Sequence, residues 1–282
     1  MNEDSLAERF EARRGHLRAV AYRMLGSLSE AEDAVQETWF RLSRTDVSDV
    51  GNLPGWLTTV TGRVCLDMLR TRRSRREELG DERLPDPILT HDPEHEILVA
   101  DQVGIALMVV MEALAPAERL AFVLHDMFAV PFDEIAPIID RTPAATRQLA
   151  SRARRRVRDS APAPDPDPAR QRQAVEAFLA AAREGDLEAL VSLLDPDVVL
   201  RVDVGAGGPL QVVRGARNVA GRAMMFREIA KTIETVVVNG AIGAVDATGG
   251  SPRSLMALTV VDGRIVTMDI IADPGRLRDL GL

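Results

Sequence analysis

Four prolines alternate through APAPDPDP, Ala161–Pro168. Each removes a backbone donor and pushes the residue before it out of the helical region, so neither a helix nor a central strand can cross this stretch. Alternating prolines favour an extended, semi-rigid spacer, and the chain has to fold as separate bodies on either side. A second break lies upstream. EELGDERLPDPILTHDPEHE, Glu77–Glu96, is acidic, holds three prolines and reads as an irregular linker. Three pieces follow: residues 1–76, 97–160 and 171–282, with 161–170 as the spacer. A chain of 282 residues that is 46% hydrophobic can bury a core in each. There is no internal repeat.

The net charge is −8, which argues against a protein coated in basic surface. Screening confines a charged patch to roughly 8–10 Å, so local clusters decide what each face attracts. Lys231 is the only lysine. The basic groups are therefore nearly all guanidinium forks, which suit phosphates and base edges and which a GC-rich coding sequence would also produce. A single cysteine, Cys65, excludes an internal disulfide and fits a reducing cytoplasm. No apolar run approaches the ~18 residues of a membrane span, and the acidic start MNEDSLAERFEARRG is no signal peptide, so a cytoplasmic protein without a membrane partner is expected.

The first piece reads as helical. In SEAEDAVQETWFRLSR, Ser29 and Glu32 have capping-box spacing, Ala31, Val35, Phe40 and Leu42 form a core side, and Asp33, Gln36 and Glu37 share a polar side. In LPGWLTTVTGRVCLDMLRTRRSRR, Trp56, Leu57, Val60, Val64, Leu66 and Leu69 turn inward, and the exit carries Arg70, Arg72, Arg73, Arg75 and Arg76, a cationic tail suited to phosphate.

The second piece holds FDEIAPIIDRTPAATRQLASRARRRVR, Phe132–Arg158. Ile135, Ile138 and Ile139 mark a short apolar helix, kinked by Pro137. Asp140 suits positive φ in the turn, and Thr142 then Pro143 look like an N-cap followed by proline at the first helical position. In the next helix Thr146, Leu149 or Ala150, Ala153 and Val157 pack inward, which leaves Arg147, Gln148, Ser151, Arg152 and Arg155 outside. Between Arg141 and Arg158 there are seven arginines and no acid. Two short helices, a tight turn and a basic second helix make a DNA-binding helix-turn-helix. The third piece reads as two helices divided by Gly185, then strand-like runs with a hairpin at Asp262-Gly263, an α+β order.

In their order these motifs resemble the extracytoplasmic-function sigma factors of bacteria, over about residues 5–158. SEAEDAVQETWFRL is similar to the region-two helix that docks on the β′ clamp helices of core RNA polymerase, which implies that role for Asp33, Gln36 and Glu37. WLTTVTGRVCLDMLRTRRSRRE is similar to the segment engaging the −10 promoter element and implies Trp56, Arg63, Asp67, Arg70 and Arg73 there, with Arg63 where many relatives carry Asn. The helix-turn-helix is similar to region four, which implies that Arg147, Gln148, Ser151, Arg152 and Arg155 read the −35 element, with Arg156 nearer phosphates. The remainder resembles a SnoaL-like domain of the nuclear transport factor two-like cone fold, an extension found in the sigma factor J-like group. The implied architecture is multidomain: two all-α sigma domains and an α+β cone. In that group the extension modulates sigma activity through a proline-containing linker motif and a C-terminal motif. RLPDP and ADPGRL occupy those places imperfectly, which implies a regulatory contact among Pro85, Asp86, Asp273, Arg276 and Leu277.

Two other readings compete. A one-component helix-turn-helix regulator with a ligand-sensing domain has no use for the polymerase-docking helix and second basic helix of residues 29–76. A SnoaL-like cyclase or isomerase needs a carboxylate base and an oxyanion donor. Asp203, Asp246 and Asp269 supply acids, yet no His, Tyr, Cys or Trp follows residue 170, so no catalytic residue is assigned. A small-molecule ligand held among Val, Leu and Met side chains suits that domain better. No cofactor is called for. His91 and His95 have ligand spacing, but Pro93 between them disfavours the helix that would align them, so no metal is expected.

Overall fold

A computed structural model describes residues 3–47, 50–79, 83–90, 103–205, 208–246, 252–280 and 282. His91 and His95 lie outside these residues, as does most of the acidic linker; among the described residues no His, Cys, Asp or Glu cluster could hold a metal ion. No described helix is long and apolar enough to cross a membrane. The chain forms two compact units, residues 1–79 with 110–160, and residues 80–109 with 161–282.

The first unit is helical: α1 (Glu3–Leu25), α2 (Leu28–Ser43), α3 (Leu53–Leu79), the end of α4 (Ile105–Glu112), α5 (Pro116–Phe122), a π turn over Val123–Met127, α6 (Phe132–Ile135) and α7 (Pro143–Ser160). Gly26 closes α1 at φ 74°, and Ser27 then caps α2, accepting from the Glu30 N–H at 3.4 Å. The helix therefore starts one turn's edge earlier than Ser29 and Glu32 suggest, because the positive-φ glycine hands an extended residue to position 27. Phe40 also departs from expectation: it is 43% exposed, and Thr38 is buried in its stead. The Thr38 and Thr61 hydroxyls lie within reach of the Ala34 and Leu57 carbonyls and 3.1 Å from each other, so one proton bonds a carbonyl while the other bridges α2 and α3. Gly62 lets the 110–160 helices approach closely, since a Cβ there would sit 3.0 Å from Leu124 Cδ1.

The turn chemistry of α6 and α7 agrees with the sequence. Pro137 converts the end of the first helix into a 3₁₀ turn over Ala136–Ile138. Asp140 takes φ 53°, and the Thr142 hydroxyl caps α7 by accepting from Ala145 N–H at 3.2 Å. Thr146, Ala150 and Ala153 are buried, while Leu149 and Val157 are half-buried.

The second unit is α+β. Helices α8 (Pro168–Glu184) and α9 (Leu187–Leu193) precede β2 (Leu194–Asp203) and β3 (Gln211–Arg214). Helices α10 (Ala216–Met225) and α11 (Arg227–Ala230) follow, then β4 (Ile233–Val238), β5 (Ala241–Asp246), β6 (Ser254–Val261), β7 (Arg264–Ile271) and α12 (Pro274–Asp279). Gly185 ends α8 in the left-handed region, and Asp262-Gly263 turns the β6–β7 hairpin with both residues at positive φ. With β1 at Leu89–Thr90, the sheet runs β1-β4-β5-β6-β7-β2-β3, antiparallel except for β2 against β7. Its first strand, β1, comes from the linker and pairs Leu89 with Val238.

Both faces of this sheet are covered. Helices α8 to α11 bury Val175, Phe178, Leu190 and Val219 against Leu200 and Met268 on one side. On the other, Leu84, Ile105 and Leu277 close over Val245, Leu255 and Ile271. The described linker residues are irregular over 83–88, as composition suggests, but they are packed into the second unit and do not stand free. Leu84, Pro85 and Pro87 are buried, and apolar contact outweighs the acidic character of the surrounding segment. The proline stretch is anchored too: Asp165 donates its N–H to Val260 O at 2.8 Å, and Gln171 Nε2 donates to Asp165 O at 2.6 Å. Proline had kept that backbone extended, so it met the sheet instead of standing off as a tether.

Candidate nucleic-acid and polymerase interfaces

On α2, Asp33, Gln36 and Glu37 are exposed on one face, as their spacing requires. Arg41 Nε donates to Glu37 Oε1 at 2.9 Å and fixes one end of the stripe. Phe40, three residues beyond Glu37, adds an exposed aromatic to this face that the sequence reading had assigned to the core. Asp33 and Gln36 also border a groove of about 390 Å³ between α1 and α2, floored by Phe10 and Trp39, whose rings lie 5.1 Å apart.

On α3, helical spacing puts Trp56, Arg63, Asp67 and Arg70 along one side, with Arg73 rotated away. Trp56 is half-buried against the cluster of Leu53 and Leu57, so its ring is largely a core group. Asp67, Arg70 and Arg73 are exposed, Asp67 lying 3.7 Å from Arg70. Arg63 is exposed and donates from Nη2 to the Pro137 carbonyl at 3.1 Å, which ties the −10 candidate to the helix-turn-helix. Arg72 leaves the cationic tail altogether. It is half-buried and donates to Glu30 at 2.9 Å, to Leu25 O at 2.8 Å and to Glu112 at 3.4 Å. It is a structural clasp. Cys65 is buried, and burial pushes its thiol up to about 12, so it is inert.

On α7, Arg147, Gln148, Ser151, Arg152 and Arg155 are all exposed on the side opposite Thr146, Ala150 and Ala153. The guanidinium of Arg147 lies 5.3 Å from the Phe132 ring centroid, a cation–π contact that orients it. Two acids missed by the sequence reading hold part of the arginine cluster. Glu118 meets Arg152 at 3.2 Å and Arg156 at 3.1 Å, and Asp126 meets Arg154 at 2.7 Å. Both lie far upstream in sequence, so an Arg-only window hides them.

In the second unit, Arg276 joins the C-terminal helix to the linker. It donates to Asp86 Oδ1 at 2.6 Å, to Asp203 Oδ2 at 2.5 Å and to Leu84 O at 2.8 Å. Asp203, 2% exposed, also accepts from the Leu84 and Gly205 N–H groups. Asp273 caps α12, accepting from Gly275 N–H at 2.8 Å, and lies 3.9 Å from Arg83. Leu277 is buried with Leu84, and Pro85 is buried nearby. Asp86, Arg276 and Leu277 thus meet across the linker, Asp273 lies by Arg83, Pro85 is buried in the same segment, and Asp203, which the sequence marked only as an acid, is a buried hub. Asp269 is held by Arg201 at 2.7 Å, and burial raises its carboxyl above the ordinary range while Arg201 opposes that shift.

An exposed acidic and aromatic helix face, a basic second helix after a positive-φ turn, and an α+β domain that absorbs the linker define a class. The chain belongs to the extracytoplasmic-function family of RNA polymerase sigma factors. Residues 9–75 match the Sigma-70 region 2 family and residues 105–157 match Sigma-70 region 4. The chain is 39% identical to the ECF RNA polymerase sigma factor SigJ of Mycobacterium tuberculosis, over 95% of this chain and 91% of that one. It is 34% identical to the probable ECF RNA polymerase sigma factor SigI of the same species, over 98% and 96% of the two chains. The crystal structure of SigJ superposes with a TM-score of 0.75 at 36% identity, covering 96% of this chain and 98% of that one. The protein is thus a sigma factor, binding core polymerase and promoter DNA, with a C-terminal α+β domain.

Proposed function

We propose that this sigma factor docks Asp33, Gln36, Glu37 and Phe40 on the β′ clamp helices. Arg147, Gln148, Ser151, Arg152 and Arg155 then read the −35 element, and Arg63, Asp67, Arg70 and Arg73 serve the −10 element. Trp56 supports that surface mainly from the core. Residues 1–76 act as region two, 97–160 as region four and 171–282 as a regulatory domain working in cis, without catalysis, in the cytoplasm. The observation that carries the reading is α7, whose five polar residues are exposed together behind a capped, positive-φ turn. A hydrogen bond from Arg63 to the Pro137 carbonyl supports a resting form in which promoter-facing groups are occupied internally.

The Arg276 cluster supports regulation through the linker, and the apolar interior of the second unit supports a small-molecule ligand there. The test is in vitro transcription with core polymerase, full-length protein against a chain ending at Ala161, with footprints of Arg152→Ala. An arginine reading a base edge should cost ~1–3 kcal/mol on truncation and relax specificity at that base. Absence of core binding would return the protein to the one-component regulator reading, and an unchanged footprint would remove Arg152 from the interface.

A further inference from the structure

The second unit contains a cavity of about 230 Å³ between α8, α10, α11 and the sheet. Most of its wall is apolar, with Phe178, Val219, Ile229, Met256 and Met268 among the lining. An apolar cavity of roughly 150 Å³ already holds benzene, so this one accepts a substituted ring or a short acyl chain. It is smaller than the ~300–1,000 Å³ usual for larger ligands, which sets the upper size.

Its polar groups are few and unequal in charge. Arg222, Arg253 and Asp246 line the wall, two cations against one acid. Asp246 is 1% exposed and already accepts from the Thr232 hydroxyl at 2.9 Å. Arg222 uses Nη2 on Gln211 at 2.7 Å, while its Nε is buried with no hydrogen-bond partner. A buried guanidinium N–H left unmet is costly, and an acceptor inside the cavity would satisfy it. At the junction of α10 and α11, Met225 is 76% and Phe226 48% exposed, and Phe226 also lines the cavity. An aromatic that is both wall and surface marks where a ligand enters.

We propose that this cavity binds a small apolar organic acid, its ring or acyl chain among the methionines and its carboxylate on Arg222. This deepens the ligand-sensing reading of the C-terminal domain and rests on it, but binding is measured without transcription, so either can fail alone. The experiment is isothermal titration of the full-length protein with benzoate and octanoate, and with benzamide and octanamide as neutral counterparts. Saturable binding of at least one acid is expected, with its amide about tenfold weaker or more, the size of a lost charge-assisted hydrogen bond.

Arg222→Met should abolish the preference for acid over amide, and Ala223→Phe should fill the cavity and abolish binding of both, with thermal melting confirming that each variant folds. Should a variant not fold, competition of the same acids against a fluorescent octanoate analogue on the unaltered protein decides instead. Displacement by the acids and not by the amides supports the site. Equal binding of acid and amide, binding untouched in the Ala223→Phe protein, or no binding of any probe overturns the assignment.

Discussion

Arg276→Met tests the Arg276 hub. The substitution keeps the aliphatic stem but removes a cation whose side chain is 13% exposed, leaving Asp203 buried and Asp86 half-buried. Breaking one side of a buried ion pair costs about 3–5 kcal/mol. Asp203 keeps two backbone donors at 2.9 Å, from Leu84 and Gly205, so the cost should fall near ~3 kcal/mol, the lower end of that range. That corresponds to roughly a hundredfold rise in local opening. Hydrogen exchange read by mass spectrometry over residues 83–90 and 272–280 is the direct assay, because both segments depend on this side chain. Exchange should accelerate there and not in α2 or α7. Pairing the change with Asp203→Asn should recover part of the loss, since no buried charge is then left alone. Unchanged exchange in 83–90 would refute the reasoning, and an additive double variant would deny that the two groups act as a pair.

Charge reversal at Asp33 and Glu37 should weaken core polymerase binding, and Phe40→Ala should add to the loss; equal affinity measured by fluorescence anisotropy would exclude this face. Glu118→Gln should release Arg156 toward phosphate and Arg152 toward the −35 bases, steepening the logarithmic salt dependence of DNA binding by about 1. Cys65 should resist alkylation at pH 8 in the folded protein and react on unfolding, since burial holds its thiol near about 12. Asp269 has a folded-state affinity for its proton above that of the unfolded chain, so its contribution falls as pH rises from the unfolded carboxyl value through the raised folded one. Asp269→Asn should flatten the stability curve in that acidic window, and carboxyl chemical shifts in the parent protein check the direction.

The local signals in the sequence carried far where side-chain chemistry is short-range. Asp140, Thr142 and Pro143 marked the turn and cap of α7, and Asp262-Gly263 marked a hairpin, because φ preferences and capping act over a few residues. Strand β5 gave little signal. Its Ala241-Ile242-Gly243-Ala244 run lacks β-branched alternation, and Gly243 is required because a Cβ would come within 2.6 Å of Met256 O. Helices α10 and α11 were equally quiet, with Gly221 inside the first and no side-chain cap on either. The residues proposed to face the promoter were legible as outward positions of periodic helices, where the structure exposes them. Glu118, Asp126 and the Arg72 clasp were not, because each partnership joins residues dozens of positions apart, and periodicity says nothing about which arginine finds an acid.

Under the proposed regulation, the linker gives the C-terminal domain its leverage over promoter binding. Residues 83–90 lie a few residues beyond region two, yet their contacts are with β4, Asp203 and α12. Asn239 reinforces this from the sheet's turn, accepting from Ile88 N–H at 2.7 Å and donating to Val103 O at 3.0 Å. Chain held in this way is subtracted from the tether between regions two and four. Under the proposed regulation, releasing 83–90 returns eight residues to that tether, about 26–29 Å when extended. The two promoter elements must be engaged together, so a change of this size decides whether both regions can reach their sites at once. A substitution that frees the linker without touching α2, α3 or α7, such as Arg276→Met, should therefore alter the tolerated −35 to −10 spacing in transcription assays while affinity for core polymerase stays the same. If the spacing preference is unchanged although exchange shows 83–90 to be open, the linker is a structural strand and not a control on reach.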